Sequence, residues 1–204
     1  MSKRKYSVIV FDLGNVLIPF DYSITFNKLE KIEPGLGQKF LDKYKENYEL
    51  HRNFERGAVS EEEFLARLSG FINSKANRTT LIDAYSRIFR VNKDVVSLLP
   101  KLKEKHKLVL LSNTNSLHQK YGYNHFEFFR YFDKLILSHE VGAVKPEEKI
   151  YKAVEAFTKE PSEKHIFIDD ILEYVEGAKK MGWDAVQFTN YSRLIDDLGE
   201  RGIL

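Results

Sequence analysis

Four polar positions follow short apolar segments, and their side chains together could perform phosphoryl or acid–base chemistry. They are Asp12, Ser112, Lys145 and the pair Asp169–Asp170. Asp12 ends the run Val8-Ile9-Val10-Phe11, and Gly14 allows a sharp turn two residues later. An apolar run of this length is typical of a strand buried on both faces of a parallel sheet. Taken alone, Asp12 could equally be a loop residue that caps or turns the chain.

The second half of the sequence alternates between strand-like and helix-like segments, which would position these side chains. Predicted strands are 107–111, 135–137, 165–168 and 183–188, and predicted helices are 92–105, one through His118 and Tyr121, 147–158, one carrying Val175 and Met181, and 191–198. Pro100 should kink or divide its helix, and Pro146 suits a first helical position. Alternation of this kind predicts a parallel sheet with right-handed crossovers. The four polar sites would then converge at one edge of the sheet.

Residues between the first and second strands form a predicted helical insertion. Apolar residues recur there at helical spacing, Ser60 with Glu63 indicates a capping box, and Thr80 with Asp83 is a second helix start. The predicted fold is α/β, a Rossmann-like parallel sheet flanked by helices with a small helical cap inserted after the first strand. The predicted division is 1–19 and 90–204 for the catalytic core and 20–89 for the cap.

Composition excludes several classes of protein and site. The 204 residues carry a net charge of +2 without a basic stripe, which argues against nucleic acid as a partner. The sequence has no cysteine, so disulfides and thiolate metal sites are absent. The basic residues 2–5 precede too short an apolar run for a signal peptide, and no run is long enough to span a membrane. We expect a cytoplasmic protein that is monomeric or weakly dimeric.

Carboxylates gathered at one edge repel one another unless a cation joins them. With only oxygen ligands available, Mg²⁺ is the matching ion, and the Gly14 carbonyl could add a ligand. A carboxylate can also act as a nucleophile, and Lys145 with the Ser112 hydroxyl could bind phosphoryl oxygens. Asn15, in the turn after Asp12, is a further candidate phosphate-binding residue. Each residue has a simpler interpretation: Ser112 could cap a helix, and Lys145 could be solvated.

The motifs resemble those of the haloacid dehalogenase-like hydrolase superfamily over nearly the whole chain. They are Phe-Asp-Leu-Gly-Asn-Val-Leu (11–17), Leu-Leu-Ser-Asn-Thr-Asn (110–115), Lys145-Pro146 and Phe-Ile-Asp-Asp (167–170). Together with Phe-Glu-Arg-Gly (54–57), they look most like sugar phosphatases of the glucose-1-phosphate phosphatase type. The resemblance implies that Asp12 is the nucleophile, that Ser112 and Asn113 hold phosphate, and that Lys145 stabilises the charged intermediate. It also implies Mg²⁺ on Asp12, the Gly14 carbonyl and Asp170, with Asp169 the weaker candidate.

Two residues depart from that family pattern. Gly14 stands where most phosphatases of the superfamily have a second Asp that serves as general acid and base. A good leaving group tolerates its loss, which favours a sugar phosphate such as a hexose 1-phosphate, or an aryl phosphate. Tyr174 stands where relatives often carry Asn or Asp that supports the metal, and Glu173 is the nearest substitute.

Two other functions remain open from the sequence. A metal-independent 2-haloacid dehalogenase would also use Asp12 and lacks the second Asp, although Asp169–Asp170 argues against it. A non-catalytic binding or regulatory protein could retain the fold. In the cap, the polar group His51, Arg52, Glu55 and Arg56 either forms a solvated helix face or binds sugar hydroxyls. The aromatic residues between 126 and 132 are predicted to lie in the core.

Overall fold

A computed structural model of the chain describes residues 5–204, and it contains one five-stranded parallel sheet. The strands are β1 (Val8–Phe11), β2 (Lys107–Ser112), β3 (Lys134–Leu137), β4 (His165–Asp169) and β5 (Asp184–Gln187), in the order β3-β2-β1-β4-β5. Residues 1–4, which carry part of the signal-peptide argument, lie outside the described residues. The predicted α/β fold with a parallel sheet is confirmed.

Helices connect the strands and fill the segment between β1 and β2. The α-helices are α1 (Tyr22–Glu30), α2 (Leu36–Glu46), α3 (Tyr48–Glu55), α4 (Glu61–Phe71), α5 (Arg78–Ser86), α6 (Lys93–Val96), α7 (Leu99–Lys103), α8 (Ser138–Val141), α9 (Glu148–Thr158), α10 (Leu172–Lys180) and α11 (Tyr191–Glu200). A π-helix spans His118–Tyr123, and 3₁₀ turns span Glu127–Tyr131 and Ser162–Lys164. None of the helices described in residues 5–204 could cross a membrane.

The central strand β1 buries side chains on both faces of the sheet. Ile9 and Phe11 pack into an apolar cluster with α6, α7 and α11, whereas Val8 and Val10 pack into a second cluster with α9 and α10. All four side chains are fully buried. This alternation follows from the two-residue period of a strand, and it explains why the run is apolar without interruption.

The strand register brings the predicted site residues to one edge. Phe11 aligns with Leu110 of β2 and with Ile168 of β4. The chain therefore leaves the sheet at Asp12 and Asp169 side by side, with Ser112 on the neighbouring strand. The parallel arrangement produces this convergence, as the sequence predicts.

The inserted helices α1 to α5 build an apolar cluster of their own, separate from the two sheet clusters. An antiparallel bridge between Phe20 and Phe89 joins the two chain segments that lead into and out of the insertion. Leu117, which follows β2, is also part of the cap cluster, and Tyr121 packs against it. The boundaries 20–89 stay a prediction, and α1 to α5 fall inside them.

Several local predictions are confirmed and others are wrong. Ser60 accepts a hydrogen bond from the Glu63 N–H at 3.2 Å, and Pro100 lies where the predicted helix divides into α6 and α7. Thr80 does not begin α5, because Asn77 caps that helix by accepting the Thr80 N–H at 2.9 Å. Pro146 is not helical either, since α9 begins two residues later.

Candidate active site

Lys145 joins the carboxylates that follow β1 and end β4. Its Nζ lies 2.7 Å from Asp12 Oδ1 and 2.5 Å from Asp169 Oδ2. Lys145 is only 1% exposed, so the simpler interpretation of a solvated lysine is wrong. An ammonium buried to this degree requires charged partners. The structure thus brings together three of the predicted site residues from three distant parts of the chain.

Burial and mutual charge shift the pKa values of this cluster. Burial raises the pKa of Asp12 to about 8, Lys145 opposes the shift, and Asp169 adds to it. Burial alone would lower the pKa of Lys145, but the two neighbouring carboxylates outweigh it and raise that pKa. In the state in which Asp12, Asp169 and Asp170 are all ionised, the three carboxylates exceed the one ammonium by two negative charges. A divalent cation would neutralise this excess.

Asp170 lies at the open side of the cluster and is held by Asn15. Asn15 donates from Nδ2 to Asp170 Oδ2 at 3.0 Å, and its own backbone N–H donates to the Ile18 carbonyl at 3.1 Å. Asn15 has a φ of 53°, a left-handed conformation that asparagine tolerates within a tight turn. Burial raises the pKa of Asp170. In this structure Asn15 orients Asp170, and its contact with phosphate stays a prediction.

The three carboxylates form a donor set that fits a hard cation. Asp12, Asp169 and Asp170 each offer an oxygen, and these oxygens lie within 4.8 Å of one another. Asp169 also accepts the Ile171 N–H at 2.8 Å in addition to Lys145, so both of its oxygens have partners. The Gly14 carbonyl accepts the Val16 N–H at 2.6 Å within the turn. Oxygen donors of this kind suit Mg²⁺.

Asn113 fixes the backbone of Lys145. Its Oδ1 accepts the Lys145 N–H at 2.7 Å, and its Nδ2 donates to the Lys145 carbonyl at 3.2 Å. Ser112, 2% exposed, donates from Oγ to the Asn113 carbonyl at 3.4 Å. The sequence analysis placed Asn113 on phosphate and missed this contact, because the two residues are far apart in sequence. The phosphate-binding roles of Ser112 and Asn113 stay predictions.

Helix α3 of the cap faces this cluster across a cavity of about 150 Å³. Arg52 donates from Nη1 to Glu55 Oε2 at 3.1 Å and from Nη2 to the Lys145 carbonyl at 3.4 Å. Glu55 Oε1 also lies 3.2 Å from His51 Nε2. His51 and Glu55 are 5% and 8% exposed, so the solvated-face interpretation is wrong for both. Arg56 instead pairs with Glu147 at 2.5 Å.

Tyr174 connects the cap to Lys145. Its ring centroid lies 4.9 Å from Lys145 Nζ, and its hydroxyl accepts from Arg52 Nη1 at 3.5 Å. The sequence analysis named Tyr174 at the position that supports the metal in relatives, and Glu173 as its nearest substitute. Tyr174 lines the cavity, whereas Glu173 lines a different surface depression beside Pro146. A tyrosine that lines the cavity therefore occupies the position where relatives often carry Asn or Asp.

The sequence analysis missed the aromatic and histidine side chains that line the rest of the cavity. They include Phe20, Tyr22, Tyr48, Phe89, His118 and Tyr123. The sequence analysis looked for polar residues that directly follow predicted strands. Residues 20, 22 and 48 follow no strand and were therefore not found. The prediction for 126–132 is confirmed, because its aromatic residues belong to or pack against the cluster on the β1 face that holds Phe11.

Known proteins share this architecture. The chain is 25% identical over 190 residues to D-ribitol-5-phosphate phosphatase of Bacteroides thetaiotaomicron, covering 89% of this chain and 91% of that protein. A wild-type haloacid dehalogenase family enzyme from the same organism, in complex with magnesium and inorganic phosphate, is 25% identical with a TM-score of 0.75, covering 93% of this chain and 98% of that one.

L-2-haloacid dehalogenase of Xanthobacter autotrophicus shares the fold at 19% identity, with a TM-score of 0.66 and coverage of 98% of this chain and 84% of that one. A model of the haloacid dehalogenase-like hydrolases matches residues 6–182. The match spans both the strand-end cluster and the inserted helices, and the chain therefore belongs to the haloacid dehalogenase-like hydrolase family.

Proposed function

We propose that this hydrolase is a magnesium-dependent phosphatase that cleaves the phosphate monoester of a small sugar or sugar alcohol through an aspartyl-phosphate on Asp12. The observation that carries the proposal is the buried cluster in which Lys145 Nζ contacts both Asp12 and Asp169. A divalent cation would neutralise the two excess negative charges of the fully ionised cluster, and the position of the cluster at the edge of the sheet opens it to a ligand. The relative that hydrolyses a sugar-alcohol phosphate supports the same reaction class.

Asp12, the Gly14 carbonyl and Asp170 would hold the magnesium, with Asp169 as the weaker candidate. The carboxylate oxygens of the three aspartates already lie within 4.8 Å of one another. The bound ion supplies positive charge that offsets repulsion between the carboxylates and an incoming phosphate. The related enzyme bound to magnesium and inorganic phosphate supports magnesium as the ion.

The chain's own residues would then carry the reaction in two displacements. A carboxylate oxygen of Asp12 forms a bond to phosphorus while the bond from phosphorus to the ester oxygen breaks, and the departing alkoxide takes a proton from solvent to become the alcohol. Lys145 and the Ser112 hydroxyl stabilise the charge on the phosphoryl oxygens. Water then attacks the aspartyl-phosphate, which releases inorganic phosphate and regenerates Asp12.

Two kinds of leaving alcohol are candidates, an anomeric sugar hydroxyl and a hydroxyl of a sugar alcohol. Gly14 supplies no acid to protonate the departing oxygen, which favours a stabilised leaving group such as the anomeric oxygen of a hexose 1-phosphate. The relative named for ribitol 5-phosphate instead favours an alkyl phosphate of a sugar alcohol. Either kind of phosphate would meet the strand-end cluster on one side of the cavity and α3 on the other.

The test is hydrolysis of p-nitrophenyl phosphate with Mg²⁺, followed by glucose 1-phosphate, glucose 6-phosphate and ribitol 5-phosphate. We expect release of phosphate that EDTA abolishes and that Asp12→Asn lowers by at least about a thousandfold. Faster turnover of glucose 6-phosphate than of glucose 1-phosphate would contradict the leaving-group argument. Halide release from 2-chloropropionate in EDTA would identify a dehalogenase, and no turnover of any substrate would favour a binding protein.

A further inference from the structure

Phe20 lies beside Gly14, next to the strand-end cluster. A Cβ on Gly14 would lie 3.6 Å from Phe20 Cε1 and 3.9 Å from Phe20 Cδ1, and among the described residues outside 13–15 no other atom lies within 4 Å of that position. Phe20 lines the cavity and is 37% exposed. The wall beside Gly14, two residues beyond Asp12, is therefore apolar, and part of its surface is open to a ligand.

The backbone fixes the position of this ring. Phe20 forms an antiparallel bridge with Phe89, and the Asp21 N–H donates to the Ile88 carbonyl at 3.0 Å beside that bridge. The two phenylalanine rings pack edge to face at 6.4 Å between centroids. The ring is thus held where the chain passes between core and cap, and a wall that is already in place loses little conformational entropy when a ligand binds.

Two tyrosines extend the apolar surface toward the cap. The Tyr22 ring on α1 packs against Phe20 at 5.3 Å between centroids, and Tyr48 begins α3. They are 39% and 51% exposed, and both line the cavity. We call Phe20, Tyr22 and Tyr48 the aromatic wall. Aromatic faces carry partial negative charge, so they attract the C–H groups of a ligand with a flat apolar face.

Polar side chains line the same cavity, including Arg52 and Glu55 of α3 and Asn15 of the turn after β1. A ligand that suits both surfaces presents an apolar face to the aromatic wall and hydrogen-bonding groups at its edge. The ring of a cyclic sugar has both, because its faces carry C–H groups and its rim carries hydroxyls. An aromatic ring lacks the hydroxyls, and an open-chain sugar alcohol has no fixed apolar face.

We propose that the aromatic wall is a leaving-group subsite that selects a cyclic sugar 1-phosphate over the terminal phosphate of an open-chain sugar alcohol. The inference rests on the proposed phosphatase function and chooses between its two leaving alcohols. In-line attack directs the leaving group away from Asp12, and α3, which carries Tyr48, faces the cluster across the cavity. In a sugar 1-phosphate the ring is bonded directly to the ester oxygen, so its face would meet Phe20 beside Gly14. A sugar alcohol would place a flexible methylene group there.

The test measures binding in the Asp12→Asn background with Mg²⁺, so that the acidity of the leaving alcohol does not enter. Calorimetry compares glucose 1-phosphate with sorbitol 6-phosphate, which carries six carbons in an open chain. We expect glucose 1-phosphate to bind at least about tenfold more tightly, and Phe20→Leu to reduce this ratio by about 3–10-fold, because leucine keeps the apolar surface and loses the aromatic face. Phe20→Tyr, which keeps that face, should retain the ratio. The ratio cancels any change in affinity that is common to both phosphates.

Phe157→Leu is the matched control, because Phe157 is 39% exposed on α9 and does not line the cavity. Its ratio should equal that of the parent. An unchanged ratio in Phe20→Leu, an equal loss in Phe157→Leu, or equal binding of the two phosphates by the parent would overturn the sugar subsite. Tighter binding of phenyl phosphate than of glucose 1-phosphate would also overturn it, in favour of an aryl leaving group.

Turnover separates this inference from the proposed function. Release of phosphate from p-nitrophenyl phosphate by a protein with no preference for the ring would overturn the subsite and leave the phosphatase intact. A preference in binding that follows Phe20, without release of phosphate from any substrate by wild type, would refute the phosphatase and leave a site that binds sugar phosphates.

Discussion

Asp12 lowers the stability of the folded protein at neutral pH, because burial raises its pKa to about 8. In the unfolded chain the carboxyl ionises near pH 4, so between about pH 4 and pH 8 the folded state binds more protons. The free energy of unfolding should therefore fall as the pH rises through this window. In EDTA, we expect Asp12→Asn to exceed wild type by roughly 1–3 kcal/mol at pH 8 and by little at pH 4.

Urea unfolding of both proteins at the two pH values measures this effect. Asn keeps the size of the side chain and cannot ionise, so the difference isolates the charge of Asp12. Lys145 retains Asp169 as a partner in the variant. A gain of equal size at both pH values would contradict the electrostatic argument, as would a loss at pH 8.

Asn113 acts on Lys145 through the backbone, by accepting from its N–H and donating to its carbonyl. We expect Asn113→Ala to lower kcat for p-nitrophenyl phosphate by about 10–100-fold, because Nζ would lose its fixed position. Asn124→Ala, at an exposed asparagine, should leave kcat unchanged. A higher KM with unchanged kcat would instead place the Asn113 side chain on phosphate.

At the scale of elements, the sequence predicts what depends on neighbours along the chain. The sequence predicts β1 correctly because all four of its side chains are apolar and buried. It predicts the Ser60 cap correctly because Glu63, whose N–H Ser60 accepts, is only three residues away. The π-helix at His118 could not be predicted, since it depends on contact between Gly122 and α5. The contact of Asn113 with Lys145 was missed for the same reason, because both depend on long-range packing.

Helix α3 ends at Glu55, and Gly57, two residues later, lies where the cap touches the core. Gly57 has a φ of 74°, and a Cβ there would lie 2.5 Å from the His139 carbonyl oxygen. We expect Gly57→Ala to reduce the free energy of unfolding by about 2–4 kcal/mol, from strain and the clash together. It should also raise KM, because α3 carries Arg52 and Glu55 into the cavity. Thermal unfolding and steady-state kinetics measure the two effects.

Gly35→Ala provides the matched control for this prediction. Gly35 has a φ of 85°, but nothing lies within 4 Å of the position that its Cβ would occupy. The control therefore carries the backbone strain without the clash, and we expect a loss of only about 1 kcal/mol and an unchanged KM. Equal losses at the two glycines would show that α3 is not held against the core at Gly57.

At the scale of the whole molecule, the cap and the core have distinct apolar clusters, but one residue from the segment after β2 belongs to the cap cluster. Leu117 follows β2 in the core but is fully buried in the cap cluster. The sequence predicts the inserted helices from their periodicity, but it does not show that a core residue completes their cluster. Because the cap cluster needs this residue, we expect cap and core to unfold together.

Trp183 is the only tryptophan, and it is buried in the sheet cluster formed with α9 and α10. Its fluorescence therefore reports on the core, whereas circular dichroism at 222 nm also reports on the helices of the cap. We expect the two urea transitions to coincide in wild type. Leu117→Ala should shift both by the same amount, about 2–4 kcal/mol, since it leaves a cavity in a shared unit.

Leu172→Ala is the control for this substitution, because Leu172 is 54% exposed on α10 and its truncation should change the free energy of unfolding by less than about 0.5 kcal/mol. If Leu117→Ala shifted the circular dichroism transition and left the Trp183 transition in place, the cap would unfold independently. Substrate could then enter by local unfolding of the cap. Coincident transitions would indicate instead that the cavity opens with the cap cluster and both sheet clusters intact.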